Sequence, residues 1–167
     1  TQGGNILFTT TSSSPEETLL IGETVGKLLS PGDLVNLNGE LGAGKTLLVK
    51  GVAQALKLPA DAVTSPTFSI INEYTQGQVA LFHFDLYRLE DELALEQVGY
   101  EDYFYGSGIT VVEWGDLFQD HLPDERLDIL LEHAGSDQRK LSFTGHGVRG
   151  KQLAQQLRGL FSVRSRH

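Results

Sequence analysis

The sequence predicts a single α/β domain, residues 1–167, whose mixed sheet contains antiparallel hairpins. Three observations lead to this prediction. Segments with apolar residues at helical spacing alternate with short β-rich runs, and two pairs of period-2 segments are each joined by a glycine-containing turn. The length of 167 residues, with 40% apolar and 21% charged residues, fits one globular core. We expect residues 1–13 and 162–167 to be flexible ends.

The first third of the chain has the pattern helix, strand, loop, helix. Ser14 and Pro15 are typical of a helix start, and Glu17 adds the spacing of a capping box. The helix is predicted to end at the turn Ser30–Asp33. The segment "DLVNLNG" follows as a short strand, and "KTLLVKGVAQALKL" predicts a second helix that a proline closes.

The rest of the chain is richer in strands. "FSIINEY" and "QVALFHFDLY" predict an antiparallel hairpin in which His83 and Asp85 share one face. "LEDELALEQVGYEDYF" is predicted to be helical, and "GITVVEWGD" is predicted to be a buried strand that stops at Glu113. "RLDILLEH" and "RKLSFTGH" predict a second hairpin across Gly135–Asp137, and "GKQLAQQLRGLF" predicts a final amphipathic helix.

A phosphate-binding loop lies between the first strand and the second helix. Gly39, Gly44, Lys45 and Thr46 match G-x-x-x-x-G-K-[ST], in the strand–loop–helix context that this motif requires. Glycines let backbone N–H groups approach phosphate oxygens, and the helix N-terminus adds partial positive charge. Lys45 would contact the β- and γ-phosphates, and the Thr46 hydroxyl would ligate magnesium. The predicted fold is therefore a P-loop NTPase-like three-layer domain.

Two acids at strand ends are candidates for the metal and water site. Glu113 ends "ITVVE" and Asp85 ends "VALFHFD". One would sit on the magnesium and one would orient or deprotonate the attacking water, and the spacing does not decide which. Each acid alone is also compatible with capping the next turn. His83 either supports this site or packs in the core. No cluster has zinc-ligand spacing, so the predicted ion is Mg²⁺ only.

Composition narrows the function classes. The net charge of −9 and a sequence pI near 4.9 argue against direct tight nucleic-acid binding, which normally needs a basic face. Cysteine is absent, which excludes disulfides and thiolate metal sites. No apolar run has the length of a membrane span and no secretory leader is recognisable. We expect a cytoplasmic protein with no membrane partner.

Several of these motifs together resemble a known family. "GELGAGKT", "SPTF", "HFDLYRL", "ALEQVGYEDYF" and "VVEWGD" occur in the order and with the gaps of TsaE (YjeE), the P-loop ATPases of tRNA threonylcarbamoyladenosine biosynthesis. The resemblance covers about residues 15 to 117. It implies an ATP- and Mg²⁺-dependent ATPase with a seven-stranded mixed sheet. It also implies action with a TsaB–TsaD-type complex, so that contact with tRNA is indirect.

The resemblance also assigns roles to single positions. By this resemblance, Asp85 and Glu113 complete the metal and water site. Thr67 and Ser65 belong to a switch-like segment, although the residues alone would fit a polar turn equally well. Trp114, which follows the acid, is either a family site position or a core aromatic. The base-binding elements correspond to the region of Ser13 and to Arg139. The residues implied to hold the nucleotide through the loop are Glu40, Leu41, Gly42, Ala43, Gly44, Lys45, Thr46 and Leu47.

Other functions are compatible with the same phosphate-loop motif. A small-molecule kinase would use the same cradle but normally adds an arginine-bearing lid, and apart from Arg88 the arginines lie in the C-terminal third. A GTPase-like switch would need an N-K-x-D guanine signature, which does not occur. A module that holds ATP without turnover is the remaining alternative. We expect slow hydrolysis by the chain alone, because no arginine finger is apparent.

Overall fold

The computed structural model describes residues 6–40, 43–58, 71–87, 89 and 91–165. Strands and helices alternate along this part of the chain. In order they are β1 (Ile6–Ser12), α1 (Pro15–Leu28), β2 (Leu34–Gly39), α2 (Lys45–Ala55), β3 (Ile71–Tyr74), β4 (Leu81–Asp85), α3 (Glu92–Gln97), α4 (Tyr100–Phe104), β5 (Ile109–Glu113), a 3-10 segment (Gly115–His121), β6 (Arg126–His133), β7 (Arg139–His146) and α5 (Gly147–Ser165).

The strands form one seven-stranded mixed sheet in the order β1-β7-β6-β2-β5-β4-β3. β2 lies at its centre and pairs in parallel with β5 and β6, and β4 also runs parallel to β5. The outer pairs β3–β4, β6–β7 and β1–β7 are antiparallel. Both predicted hairpins are present. The parallel arrangement brings the carboxyl ends of β2, β4 and β5 to the same edge of the sheet, where ligands bind in such folds.

Helices cover both faces of the sheet and make three layers. On one face, α1, α2 and α5 pack through residues such as Ile21, Val49 and Leu157. On the other face, α3, α4 and the 3-10 segment pack around Phe84 and Val112. Because β5 is covered on both faces, all five of its residues are buried, including the terminal acid. The central strands that carry the candidate site are therefore held rigidly from both sides.

Helices α1 and α2 approach each other closely through glycines. A side chain on Gly22 would collide with the Leu48 carbonyl, and one on Gly51 would collide with the Leu19 carbonyl. Such contacts let two helix backbones lie nearer than ordinary side chains allow. The start of α2, which carries Lys45, is fixed against α1 by this contact.

Three features differ from the sequence predictions. The prediction of a flexible segment 1–13 is wrong for Ile6–Ser12, which pairs along its whole length with β7 as an edge strand. The predicted single acidic helix is two short helices, because Gly99 between them has φ 72°. The Ser14 side chain caps α1 as predicted, but Glu17 bonds back to the N–H of Ser13 rather than of Ser14.

Candidate functional site

The phosphate loop connects the end of β2 to the start of α2, as the motif predicts. Gly39 ends β2 with φ 148°, and Gly44 precedes α2 with φ 105°. Both values lie where residues with a Cβ atom are strained, so the loop needs glycine at these positions. Lys45 is the first residue of α2 and Thr46 the second, which places both at the positive end of the helix dipole.

The Lys45 side chain is folded into the site. Its Nζ donates a 2.6 Å hydrogen bond to the Gly39 carbonyl oxygen and lies 3.8 Å from the centre of the Trp114 ring. Only 5% of the residue is exposed. Burial lowers the pKa of Lys45, while Glu113 and Asp85 act in the opposite direction. The ammonium group is thus held inside the cradle by a carbonyl dipole, an aromatic face and two acids.

The two candidate acids meet because their strands are parallel and in register. Asp85 at the end of β4 is the direct partner of Glu113 at the end of β5. One oxygen of Asp85 accepts a 3.0 Å hydrogen bond from the Tyr87 N–H. Burial raises the pKa of Asp85, the hydrogen bond from the Tyr87 N–H partly offsets this, and the neighbouring Glu113 raises the pKa further against a smaller opposing contribution from Lys45. Two carboxylates therefore face one lysine, which leaves an excess of negative charge.

His83 contacts one of these two acids, Glu113. Its Nε2 lies 2.5 Å from Glu113 Oε2, and both side chains are buried, His83 completely. Of the two interpretations offered for His83, support of the site agrees with this contact. The sequence signal that pointed to it was the shared strand face with Asp85.

Trp114 follows Glu113 directly and is half-buried. Its backbone has φ 64°, a left-handed conformation that costs a residue other than glycine about 1–2 kcal/mol. The conformation is held by the Trp114 N–H, which donates to the Leu37 carbonyl at 3.2 Å. The ring also contacts Tyr87, with 4.9 Å between ring centres. Trp114 is therefore in contact with the phosphate lysine and also packs on the apolar layer.

A recess of about 90 Å³ opens beside the loop. It is lined by Pro15, Thr18, Ala43, Gly44, Leu47, Asp137 and Arg139. Arg139 Nε donates to the Ala43 carbonyl at 3.1 Å, which ties the second hairpin to the loop. Ser13 follows directly after Ser12, the register partner of Arg139, but Ser13 is exposed and does not line the recess. The side of the recess next to α1 is formed by Pro15 and Thr18, neither of which the sequence predicts as a site residue.

The residues at this site suit a magnesium nucleotide. The loop has the glycine conformations that a phosphate cradle needs, and its lysine is already placed inside it. The candidate metal ligands, two carboxylates and the Thr46 hydroxyl, are the hard oxygen donors that Mg²⁺ prefers. Among the described residues, no group of three or more His, Asp or Glu side chains is found that could by itself hold a metal ion.

Comparisons with known proteins identify the family of the chain. A family model for the threonylcarbamoyl adenosine biosynthesis protein TsaE matches residues 12–141. The tRNA threonylcarbamoyladenosine biosynthesis protein TsaE of Bacillus subtilis is 44% identical over 144 residues, covering 86% of this chain and 89% of that protein. The protein of the same name from Nostoc is 38% identical, covering 77% and 80%. The chain belongs to the TsaE family.

A solved structure extends this result to the fold. The crystal structure of Bacillus subtilis YdiB matches with a TM-score of 0.77 at 37% identity, covering 92% of this chain and 95% of that chain. This match confirms the P-loop-type α/β fold. TsaE family membership confirms the resemblance found in the motifs, and the matched region continues past residue 117 into the second hairpin. Among the described helices of the chain, none is long and apolar enough to span a membrane.

The structure brings together part of the predicted site. Lys45, Asp85 and Glu113 meet at the carboxyl edge of the sheet, and Arg139 meets the loop at Ala43. Glu40 is exposed, and its carbonyl accepts from the Ala43 N–H at 3.1 Å. The predicted positions Leu41, Gly42, Ser65, Thr67 and Arg88 lie outside the described residues.

Proposed function

We propose that this chain binds and hydrolyses Mg²⁺–ATP as the ATPase subunit of tRNA threonylcarbamoyladenosine synthesis. The observation that carries the proposal is the meeting of Lys45, at the start of α2, with Asp85 and Glu113 on two adjacent strand ends. A lysine at a helix N-terminus faces the phosphates, and two acids beside it serve the metal and the water.

The residues of the chain have separate tasks in this proposal. Lys45 would exchange the Gly39 carbonyl and the Trp114 ring for phosphate oxygens. Thr46 with Asp85 or Glu113 would hold the Mg²⁺, which neutralises charge on the phosphates, and the second acid would orient or deprotonate the attacking water. The raised pKa of Asp85 suits a proton acceptor, because a carboxylate with a higher pKa is a stronger base.

The arginines support a role for a partner protein. Arg126 is engaged by Asp128 and Arg149 by Asp33, while Arg139 Nε is bound to a carbonyl of the loop. Each of these three arginines is thus engaged within the nucleotide-free fold, and a partner would be the source of an additional positive charge for the transition state. We therefore propose slow turnover by the chain alone and faster turnover with a TsaB–TsaD-type complex, through which the chain would act on tRNA indirectly.

The first test compares Lys45→Ala with Lys50→Ala, which removes a half-exposed lysine from the same helix. A lysine–phosphate contact at about 4 Å is worth ~4 kcal/mol at an effective dielectric of ~20, before desolvation. We expect Lys45→Ala to weaken Mg²⁺–ATP binding at least tenfold in calorimetry, and Lys50→Ala to bind normally. A folded wild-type chain that produces no heat with Mg²⁺–ATP would refute the nucleotide site.

The second test measures turnover and its product. Phosphate release is followed for the chain alone, then with purified TsaB and TsaD, and then in the presence of small metabolites. We expect inorganic phosphate, with a rate that rises when the partners are added. Phosphate transferred to a metabolite would indicate the kinase alternative, and binding without turnover in all conditions would indicate a module that only holds ATP.

A further inference from the structure

We propose that His83 is the positioning residue for Glu113, whose carboxylate it holds in one orientation beside Lys45 through a buried hydrogen bond. This inference rests on the proposed ATP hydrolysis and adds to it a residue that does not itself touch the nucleotide. It explains why a histidine occupies a wholly buried strand position.

Strand pairing brings the two side chains together. In the parallel pair β4–β5, Asp85 lies opposite Glu113, and His83 lies opposite Val111, two residues earlier on the same face. From that position the imidazole reaches along the sheet to the end of β5, where Nε2 meets Glu113 Oε2 at 2.5 Å. The contact follows from register, so it is fixed by the same pairing that brings the two acids together.

Burial makes this hydrogen bond important for the orientation of the acid. Glu113 is 4% exposed, and a carboxylate removed from water is costly unless a donor satisfies it. Among the described residues, the side chain that hydrogen-bonds Glu113 is that of His83. Without this donor, the Glu113 side chain would not be held in one rotamer. Its carboxylate would be free to turn toward the nearby Lys45 ammonium group and compete there with the phosphates.

The two ring nitrogens of His83 are not equivalent. An ionised carboxylate only accepts hydrogen bonds, so the proton between the two groups belongs to Nε2. Nδ1 is buried and has no hydrogen-bond partner among the described residues. A neutral ring with its proton on Nε2 leaves Nδ1 as a bare acceptor and avoids an unsatisfied buried N–H group. The geometry therefore assigns the Nε2–H tautomer to His83.

A packing role alone does not account for this residue. The neighbouring buried positions of β4 are Leu81 and Phe84, which fill space without polar atoms. A histidine at position 83 has one ring nitrogen without a hydrogen-bond partner in the described part of the chain, so it is a poorer core residue than either. The hydrogen bond to Glu113 is the contact that compensates for this defect.

The test uses His83→Leu, which removes the donor, and His83→Gln, whose amide can still donate to Glu113. His121→Gln is the matched control, because His121 is a half-buried histidine that contacts Tyr100 and Phe118, away from the site. Each variant is checked for folding by circular dichroism. Phosphate release at saturating Mg²⁺–ATP is measured with TsaB and TsaD present, and nucleotide affinity is measured separately by calorimetry.

We expect His83→Leu to lower kcat by about ten- to hundredfold, the usual effect of losing a residue that orients a ligating group, with nucleotide Kd changed less than about threefold. His83→Gln should recover most of the lost rate, and His121→Gln should match wild type. Equal losses in His83→Leu and folded His83→Gln, or a change confined to nucleotide affinity, would overturn the positioning role. A wild-type chain without any phosphate release would instead refute the proposed hydrolysis and this inference with it.

A second readout does not depend on turnover. In the nucleotide-free chain labelled with ¹⁵N-histidine, the His83 signals, identified by their absence in His83→Gln, should show a protonated Nε2 and a bare Nδ1. Glu113→Gln should shift these signals and leave those of His146 unchanged. A proton on Nδ1, or signals insensitive to Glu113→Gln, would show that the hydrogen bond does not exist as proposed.

Discussion

Burial shifts the pKa values of two charged side chains at this site. The pKa of Lys45 is lowered by burial, and the pKa of Asp85 is raised by burial and by Glu113. Each shift shows that the folded chain holds the charged form at a cost. Because two acids face one lysine, the site carries surplus negative charge that a divalent cation would neutralise. The same residues that destabilise the nucleotide-free chain are those that the proposed reaction needs.

The shift at Asp85 predicts how stability depends on pH. Its pKa in the folded chain lies above the ordinary value of 3.8, so the unfolded chain loses this proton first as the pH rises. Folding stability is therefore lost as the pH climbs from about 3.8 through the folded-state pKa, and the loss persists at neutral pH. We expect Asp85→Asn to raise Tm at pH 7 and to have little effect on Tm below about pH 3.8.

Thermal melts at both pH values check this prediction. Asp120→Asn is the control, since Asp120 is exposed on the 3-10 segment and away from the site. It should leave Tm unchanged at pH 7. A lower Tm for Asp85→Asn at pH 7 would mean that the ionised carboxylate stabilises the nucleotide-free fold, contrary to the burial argument.

Trp114 should report nucleotide binding. It is the only tryptophan in the chain, and the Lys45 ammonium group lies 3.8 Å from its ring centre. When Lys45 moves to a phosphate, the charge over the ring is removed, so we expect Trp114 emission to change as Mg²⁺–ATP is added. Lys45→Ala should alter the starting emission and abolish the response. Unchanged emission at a nucleotide concentration that saturates calorimetry would show that Lys45 stays on the ring.

Among the secondary-structure elements, α1 and α2 pack closely because they touch through glycines. An alanine methyl at position 51 would collide with the Leu19 carbonyl and approach Glu23 N at 2.7 Å, which forces the helices apart. We expect Gly51→Ala to lower the free energy of unfolding by about 1–3 kcal/mol, the usual cost of overpacking. Nucleotide affinity should also fall, because α2 carries Lys45.

Gly159→Ala is the matched control for that prediction. Gly159 lies within α5, and nothing is found within 4 Å of the added Cβ atom. Alanine is favoured over glycine inside a helix, so this variant should be more stable by up to about 1 kcal/mol. Urea unfolding gives both values. Equal stability of Gly51→Ala and wild type would mean that the two helices can separate without cost.

Some of the helices and strands could be predicted from the sequence and others could not. α1, α2 and both hairpins could be predicted, because caps, apolar periodicity and turn residues are local signals. The strand Ile6–Ser12 could not, because its partner β7 is distant in sequence and its stability includes stacking of Phe8 on Phe143 at 4.7 Å. The break at Gly99 was missed because a single glycine inside a helical pattern is often tolerated.

The candidate site was predictable to the same extent. Lys45 follows from the motif, and Asp85 and Glu113 follow from strand ends, since parallel strands bring such ends to one edge. The hydrogen bond of His83 to Glu113 depends on register, which the sequence did not specify. Pro15 and Thr18 in the recess were missed because they come from α1, whose position over the loop depends on its glycine contact with α2.

For the molecule as a whole, the net charge predicts whether the chain binds tRNA directly. The chain carries 22 acidic and 13 basic residues, a formal charge of −9. Binding to a polyanion draws most of its free energy from released counterions, which requires clustered lysines and arginines. Three of the arginines are moreover engaged by Asp128, Asp33 and a loop carbonyl. The chain and tRNA should therefore repel each other in the absence of a partner.

We therefore expect no binding of labelled tRNA by the chain alone in fluorescence anisotropy, at tens of micromolar protein and about 0.15 M salt, with or without Mg²⁺–ATP. With TsaB and TsaD present, tRNA should be retained and the chain should join the assembly through protein contacts. Saturable binding by the chain alone, weakening steeply as salt rises, would reveal a basic surface that net charge conceals. At this salt, repulsion between exposed charges extends over a Debye length of roughly 8 Å. We therefore expect a basic surface of the partner to contact the tRNA, with this acidic chain bound to the partner away from the tRNA backbone.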